Sequence, residues 1–425
     1  MRLLLLLGLL NQEGIVNLKG DKLMEKKVLL AYSGGLTTSV CIHYLRYKRG
    51  YEVLTFSADL GQLVSADKLA ERALEFGAHS VFIKDLRPRF ADEFVLPAIY
   101  ANLKNDSTHI SIALSRPLIT EELILIAQEQ NCQYVAHGGT PKGNDQIRFK
   151  LSLAAIAPHL KILTPLNEPE LSSYSAIVAY AKEHKLNVEE ERKVYEEDHN
   201  IWGRVVKAPA LEVLETPPPE ELFTLTKSPE DAPNEPKHIR LDFEGGKPTA
   251  LDGEKLPLLQ IIERLNQIGG IHSVGRTSGI YEKIVGIKSR SISESPAATI
   301  IVSAHSALEK LVLQENLIYI KSLVEQEYSR AIFKGLYFSR LRRALFAFLK
   351  ETQEPVTGSV TLKLYKGSAI VETVQSPFSL YRRQLATFGE DDSFKRTAAE
   401  GFCEIYSLRQ QLESSQYDRL HEKHF

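Results

Sequence analysis

The sequence predicts an α/β fold built on a parallel sheet, followed by an α+β domain and a helical carboxyl-terminal tail, and three observations predict it. From Lys26 onward short apolar runs alternate with helix-prone stretches. Beyond about residue 187 the texture turns to charge and then to proline, with shorter strand signals after it. The residues from 386 onward are polar and helix-prone. Alternation of strand and helix calls for a parallel sheet with helices on both faces, and 425 residues exceed what one core of ordinary size uses.

The first strand is KVLLAY at 27–32, with a helix following from about Thr38 to Lys48. The strand EVLTFSADLG (52–61) and a helix near Ser65–Gly77 come next, then SVFIKD (80–85), a helix around Pro117–Asn131 and the strand YVAHGG (134–139). Ligands of such a sheet bind beyond the carboxyl ends of its strands. The charged stretch EEERKVYEED (189–198) reads as a solvated helix face, and TPPPEEL (216–222) and SPEDAPNEPKH (228–238) read as linker. HIRLDFEGGKPTAL (238–251) opens a second set of strands. After it come a helix at LLQIIERLNQI (258–268), a basic loop at GIKSRSISESP (286–296), a long helical region from about Ser306 to Glu351, and strands within SVTLKLYKGSAIVE (359–372). The expected division is an extension at 1–25, a first domain at 26–187, a second at 188–385 and a helical tail at 386–425.

The formal charge is −2, with 43% hydrophobic and 25% charged residues. That balance fits a globular chain and supplies no basic excess for nucleic acid. Three cysteines, Cys41, Cys132 and Cys403, form no C-x-x-C pair and read as reduced core filler in a reducing compartment, which points to the cytoplasm. The apolar run Leu3–Leu10 is shorter than a membrane span and is followed by no small-residue cleavage site. Met24, at the head of MEKKVLLAYSGG, reads as the start of the working chain.

The strongest local signal is VLLAYSGGLTTS at 28–39, an apolar strand running through Ser33, Gly34 and Gly35 into a helix. Its chemistry is anion binding. Glycines let backbone N–H groups approach a phosphate, Ser33, Thr38 and Ser39 add hydroxyls, and the helix start carries roughly half a positive charge. Read alone, the same letters also describe a glycine turn capped by hydroxyl residues.

A strand ending in SGGLDTS resembles the pyrophosphate loop of the N-type ATP pyrophosphatases, and AYSGGLDTS is its form in the argininosuccinate synthase family; here Thr37 replaces the Asp. Three further segments resemble that family in the same order: FSADLGQ (56–62), HGGTPKGNDQIRF (137–149) and VGIKSR (285–290). TGSVTLKLYKG (357–367) and SPFSLY (376–381) fit its carboxyl-terminal region, so the resemblance runs over nearly the whole chain from Lys27. It implies a Rossmann-like nucleotide-binding domain, an α+β synthetase domain and an oligomerising carboxyl-terminal helix in a homotetramer. It also implies an AMP-forming ligase, in which the ureido oxygen of citrulline attacks the α-phosphorus of ATP and the amine of aspartate then displaces AMP.

The resemblance places ATP contacts on Ala31, Tyr32, Ser33, Gly34, Gly35, Leu36, Thr37, Thr38 and Ser39, on Ala58 and on Gly138, with magnesium accompanying ATP and no protein metal site. Aspartate contacts fall on Thr140, Asn144 and Asp145, although by itself PKGNDQ is a polar turn. Pro141 departs from the family's glycine and removes an N–H from this loop. Citrulline contacts fall on Asn144 and Arg148. The remaining acceptor positions differ from the family: Thr108, Ala113, Glu196, Val205 and Ser293 replace Tyr or Ser, and Tyr281 stands where the family has Glu, with Glu282 adjacent. His137 reads as a buried histidine or a phosphate contact, Trp202 as packing, and Lys288 with Arg290 as an anion or subunit contact.

Three functions follow from this pattern. One is a ligase joining aspartate to citrulline or a related ureido acceptor; another is a paralogue with a different acceptor; the third is a catalytically silent nucleotide-binding protein. A tRNA-thiolating enzyme with the same loop would bring a cysteine pair and a basic surface, and the chain has neither in its composition.

Overall fold

The computed structural model describes residues 26–62, 65–104, 109–187 and 195–421. The expected extension at 1–25, Thr108 and the charged stretch up to Val194 lie outside them. Parallel strands β1 (Lys27–Ala31), β2 (Glu52–Asp59), β3 (Ser80–Asp85), β4 (Tyr134–His137) and β5 (Lys161–Leu163) form a five-stranded sheet in the order β3-β2-β1-β4-β5. The central strand β1 is apolar on both faces, as a strand covered on both sides must be. Leu29 enters one core with Leu54, Phe94 and Val135, whereas Val28 and Leu30 enter another with Val40, Ile42 and Tyr180. Helices Leu36–His43 and Tyr174–Glu183 supply the second core, and the long helix Ser111–Glu129 covers the first.

Two antiparallel sheets follow. Strands β6 (Glu196–Asn200), β7 (Gly203–Lys207), β11 (Arg276–Glu282) and β12 (Lys288–Glu294) pair in the order β11-β12-β7-β6. Strands β8 (Lys237–Glu244), β9 (Lys247–Leu251), β10 (Glu254–Lys255), β13 (Gly358–Tyr365) and β14 (Ser368–Gln375) pair in the order β10-β9-β8-β13-β14. Strand β13 alternates as a one-sided strand should, burying Val360, Leu362 and Leu364. These residues join Leu29, Trp202, Ile261 and Ile301 in a single core cluster, which makes the parallel sheet and the later elements one packed body.

Four readings need correction. The described part of the charged stretch is strand β6 rather than helix, since it pairs with β7 from Glu196↔Lys207 to Asn200↔Gly203. The basic loop at 286–296 is mostly strand β12, which pairs on both edges. The long helical region is broken into Pro296–Val312, Glu315–Phe333 and Arg340–Glu351, with Gly335 at φ +80° in the second junction, where a left-handed residue ends a helix. Cys41 and Cys132 are buried, but Cys403 is exposed, on a helix (Arg396–His421) that buries none of its residues.

Candidate active site

The end of β1 positions the first half of the site. Tyr32 still bonds to the sheet, donating its N–H to the Phe56 carbonyl at 2.8 Å, after which the chain turns through Ser33, Gly34 and Gly35. Gly34 adopts φ +83°, a left-handed conformation that favours glycine, and a Cβ there would also force the Leu69 side chain to shift. Helix Leu36–His43 starts with Gly35 as its cap and no capping side chain. Ser39 N–H donates to the Gly35 carbonyl at 3.0 Å, which leaves the amides of Leu36, Thr37 and Thr38 without acceptors within the helix. These amides and the helix dipole make the loop an anion receptor.

The hydroxyls of this loop hold it together. Tyr32 and Ser39 hydroxyls pair at 3.0 Å, Ser33 and Thr38 at 3.1 Å, and Ser39 and Thr38 also donate to the Gly35 carbonyl at 3.0 and 3.2 Å. Ala31 and Ala58 lie at the carboxyl ends of neighbouring strands β1 and β2. Gly138 follows β4 on the other side of β1, and a Cβ there would come to 2.5 Å of Thr38 Cγ2. The nucleotide positions expected from the sequence thus surround one crevice, where the connections of β1, β2 and β4 diverge.

His137, the last residue of β4, is 1% exposed and stacks on Phe149 with ring centroids 5.0 Å apart. Its Nδ1 accepts the Gly139 N–H at 2.9 Å, so the proton of the neutral ring sits on Nε2, which has no partner among the described residues. Burial pushes this imidazole down to about 4, against the opposing pull of Asp145. The chain then turns, Gly143 N–H donating to the Thr140 carbonyl at 2.9 Å, and enters helix Asn144–Ile156.

That helix start carries the second half of the site. Asn144 Oδ1 accepts the Ile284 N–H at 2.8 Å, which seats the tip of the β11–β12 hairpin on the helix. Asp145 Oδ2 accepts from Arg116 Nε and Nη2 at 2.9 and 2.7 Å, and its Oδ1 accepts from Arg148 Nη1 at 2.9 Å. Arg116 Nη2 also donates to Asp198 Oδ1 at 2.7 Å. Arg148 Nε and Nη2 donate to the Phe333 carbonyl at 3.1 and 3.0 Å, so the contacts of its guanidinium lie within the protein. Burial alone would raise the Asp145 carboxyl; the two guanidiniums outweigh it and hold the group well below the usual carboxylate range.

The four-stranded sheet closes this half. Thr277, Ser293, Val205 and Asp198 are successive register partners across β11, β12, β7 and β6. They form one row that ends on the Arg116–Asp145 cluster. Alternation puts Glu196, Lys207 and Tyr281 on the same face, and Glu282 points the other way. Ser293 is buried and its hydroxyl pairs with that of Thr277 at 2.6 Å. Ala113 is buried near the start of helix Ser111–Glu129, one turn before Arg116. Elsewhere, Trp202 is fully buried beside His109, and Arg290 donates to the carbonyls of Val213 and Thr216.

Sequence reasoning missed Arg116, Asp198 and Lys207. Arg116 carried a signal, being the single basic residue in a helix whose other positions are mostly apolar. Asp198 was masked by its acidic neighbours, and Lys207 had no pattern to mark it.

Comparisons with known proteins cover both halves of the chain. The profile of the arginosuccinate synthase N-terminal HUP domain matches residues 27–187, and that of the arginosuccinate synthase C-terminal domain matches residues 195–413. The chain is 43% identical over 386 residues to an argininosuccinate synthase of Pelodictyon phaeoclathratiforme, covering 90% of this chain and 96% of that protein. It is 44% identical to those of Chlorobium limicola and Rubrobacter xylanophilus, covering 90% of this chain and 96% and 94% of theirs. A solved structure of a predicted tRNA methyltransferase subunit from Methanocaldococcus jannaschii overlaps 37% of this chain and 75% of its own, at 18% identity and a TM-score of 0.28, too slight a likeness to bear on the site. With both profiles matched in order and relatives covered almost from end to end, the chain belongs to the argininosuccinate synthase family.

Proposed function

We propose that this protein condenses aspartate with citrulline at the expense of ATP, giving argininosuccinate, AMP and pyrophosphate. The observation that carries the reading is that the anion-receiving loop Ser33–Ser39 and the helix start bearing Asp145 and Arg148, with Arg116 joined to it from helix Ser111–Glu129, follow the carboxyl ends of the neighbouring strands β1 and β4. The triphosphate lies on the open amides of Leu36, Thr37 and Thr38, with Ala58 and Gly138 bordering the nucleotide. The ureido oxygen of the acceptor forms a bond to the α-phosphorus while the bond to the bridging oxygen breaks and pyrophosphate leaves. The aspartate amine then bonds to the ureido carbon, loses a proton, and expels AMP with its oxygen. Such chemistry depends on positioning and charge stabilisation.

Aspartate is placed on Thr140, Asn144 and Asp145: hydroxyl and amide donors meet its carboxylates and Asp145 meets its ammonium. Asn144 keeps its Nδ2 donor for this, since Ile284 occupies only its Oδ1. Magnesium fits as the counter-ion of the triphosphate. Among the described residues no group of three His, Cys, Asp or Glu side chains could cage an ion, and magnesium is commonly held through substrate phosphates. Assembly as a homotetramer is supported by helix Arg396–His421, which leaves Phe402, Ile405, Leu412 and Leu420 more than half exposed, an apolar surface that a neighbouring subunit would cover. No described helix is long and apolar enough to cross a membrane, and the expected compartment is the cytoplasm.

The test is pyrophosphate release from ATP, magnesium and aspartate, with and without citrulline, together with identification of the product. Citrulline-dependent release with argininosuccinate formed is the expected result. Release with another ureido compound alone would replace citrulline as acceptor, and absence of both release and ATP binding would overturn the ligase reading.

A further inference from the structure

The acceptor side of the site holds one cation and one anion that its internal ion pairs leave unspent. Arg116 is committed to Asp145 and Asp198, and Arg148 to Asp145 and the Phe333 carbonyl. Lys207 and Glu196 are direct register partners at the outer end of β7 and β6. Both occupy the sheet face that carries Asp198, Val205, Ser293 and Tyr281. Lys207 is half-buried, and the charges around its ammonium are the Tyr281 phenol, Asp198, Asp145 and Glu196. Neither Lys207 nor Glu196 makes an ion pair or hydrogen bond to another side chain among the described residues, although every other charged group of the cluster does. The groups around Lys207 outweigh burial and keep its ammonium charged, yet none of them accepts a hydrogen bond from it among the described residues, so its donors stay open to a carboxylate entering the pocket.

We infer that Lys207 receives the carboxylate, and Glu196 the ammonium, of an α-amino acid acceptor, making this pair a specificity determinant of the pocket. The assignment rests on the ligase reading above for its position in the reaction, and on the register and charge of the β6–β7 pair for the residues. Opposite charges on paired strands lie about 5 Å apart at Cβ, a span that the two charged ends of one zwitterion can bridge. The Val205 and Ser293 side chains of the same face carry no charge, so the headgroup of the acceptor is oriented by the sheet's edge and the ureido end is left to reach inward toward Asp145 and the nucleotide loop.

Calorimetric titration of citrulline into the full-length protein loaded with α,β-methylene-ATP, whose α–β bridge cannot break, tests the assignment directly, alongside its decarboxylated analogue, 4-ureidobutylamine. Lys207→Met should weaken citrulline binding roughly 10- to 100-fold, the range for one hydrogen bond to a charged group. It should leave the analogue unaffected, and Lys207→Arg should recover most of the loss. Glu196→Gln should weaken both compounds, because both keep the amine. Parallel steady-state assays should place the Lys207→Met effect on KM rather than kcat. Equal weakening of both compounds by Lys207→Met, no weakening of either, or no citrulline binding by the unmodified protein would overturn the proposal. The ligase reading fails separately, on absence of pyrophosphate release with any acceptor, even where citrulline binding depends on Lys207.

Discussion

The nucleotide loop and the acceptor face of the four-stranded sheet are built in opposite ways. The loop is a backbone device: open amides at a helix start, a left-handed Gly34, and hydroxyls spent on holding the turn. The acceptor face is a side-chain device, assembled from β6, β7, β11 and β12 and locked to the first domain through Asp198, Arg116 and Asp145. A backbone device tolerates replacement of a side chain such as that at Thr37, because its donors belong to every residue. A side-chain device is sensitive to each substitution, and Glu196, Val205, Tyr281 and Ser293, expected to depart from the family pattern, lie on the sheet that forms the second device.

The sharpest way to break this contrast is to remove what holds the acceptor sheet from behind. Glu294 is fully buried on the opposite face and accepts from Arg204 Nη1 at 2.7 Å, from the amides of Thr224, Leu225 and Thr226, and from the Thr226 hydroxyl. Glu294→Ala leaves Arg204 with Glu197 as its one ion-pair partner among the described residues and strips three amides and a hydroxyl of their acceptor, and a loss of about 3–5 kcal/mol in unfolding free energy is expected by urea denaturation. ATP affinity of the fraction that stays folded should be retained, since the loop draws on β1, β2 and β4 alone. A fall in ATP affinity at denaturant concentrations where the variant is still folded would show that the two devices are not separate.

The difference in construction also explains what the sequence disclosed. Four of the five parallel strands were legible because each is a contiguous apolar run, whereas β5, only Lys161–Leu163, was too short to show; the loop was legible because Ser33–Ser39 is contiguous too. Strand β6 was misread because Glu196, Glu197 and Asp198 look like a solvated helix face. They are in fact an edge strand, in which Asp198 pairs with Arg116 and Glu197 with Arg204. The cluster around Asp145 joins residues 116, 145, 148 and 198, and nothing in their order along the chain announces that they meet. Lys207 acquires meaning only through its register with Glu196.

A smaller effect, of opposite locality, concerns acid. The His137 imidazole is pushed down to about 4 by burial, while its ordinary value is about 6.5. The unfolded chain therefore binds a proton that the folded chain refuses. Stability is full above pH 6.5, declines as the pH falls from 6.5 to about 4, and is level with respect to this group below that. The expected loss across the window is about 3 kcal/mol. Asp145 works in a lower window: its folded value is depressed, so its contribution is present above about pH 4 and lost below that. His137→Asn, which keeps an acceptor for the Gly139 N–H, should make the upper window shallower, with the remaining slope carried by groups such as His109, and leave the lower one. An unchanged slope between pH 6.5 and 4 would assign the acid sensitivity to other groups, His109 first among them, since burial pushes it to about 3.

The smallest effect is the most informative about specificity. Val205 sits in register between Asp198 and Ser293, in a row otherwise made of polar groups: Thr277, Ser293 and Asp198. A hydroxyl at 205 would stand beside the Ser293 hydroxyl, which pairs with that of Thr277 at 2.6 Å, and would extend that chain of hydrogen bonds toward Asp198. One neutral hydrogen bond is worth about 0.5–1.5 kcal/mol, so Val205→Ser should lower the KM for citrulline by no more than about 10-fold, with kcat and the KM for ATP unchanged. A lower KM would mean that the row contacts the acceptor and that its polarity tunes the pocket. A rise in KM would mean that the Val205 methyls themselves pack against the acceptor, and the sheet would then present an apolar wall bounded by Lys207 and Glu196 rather than a continuous polar one.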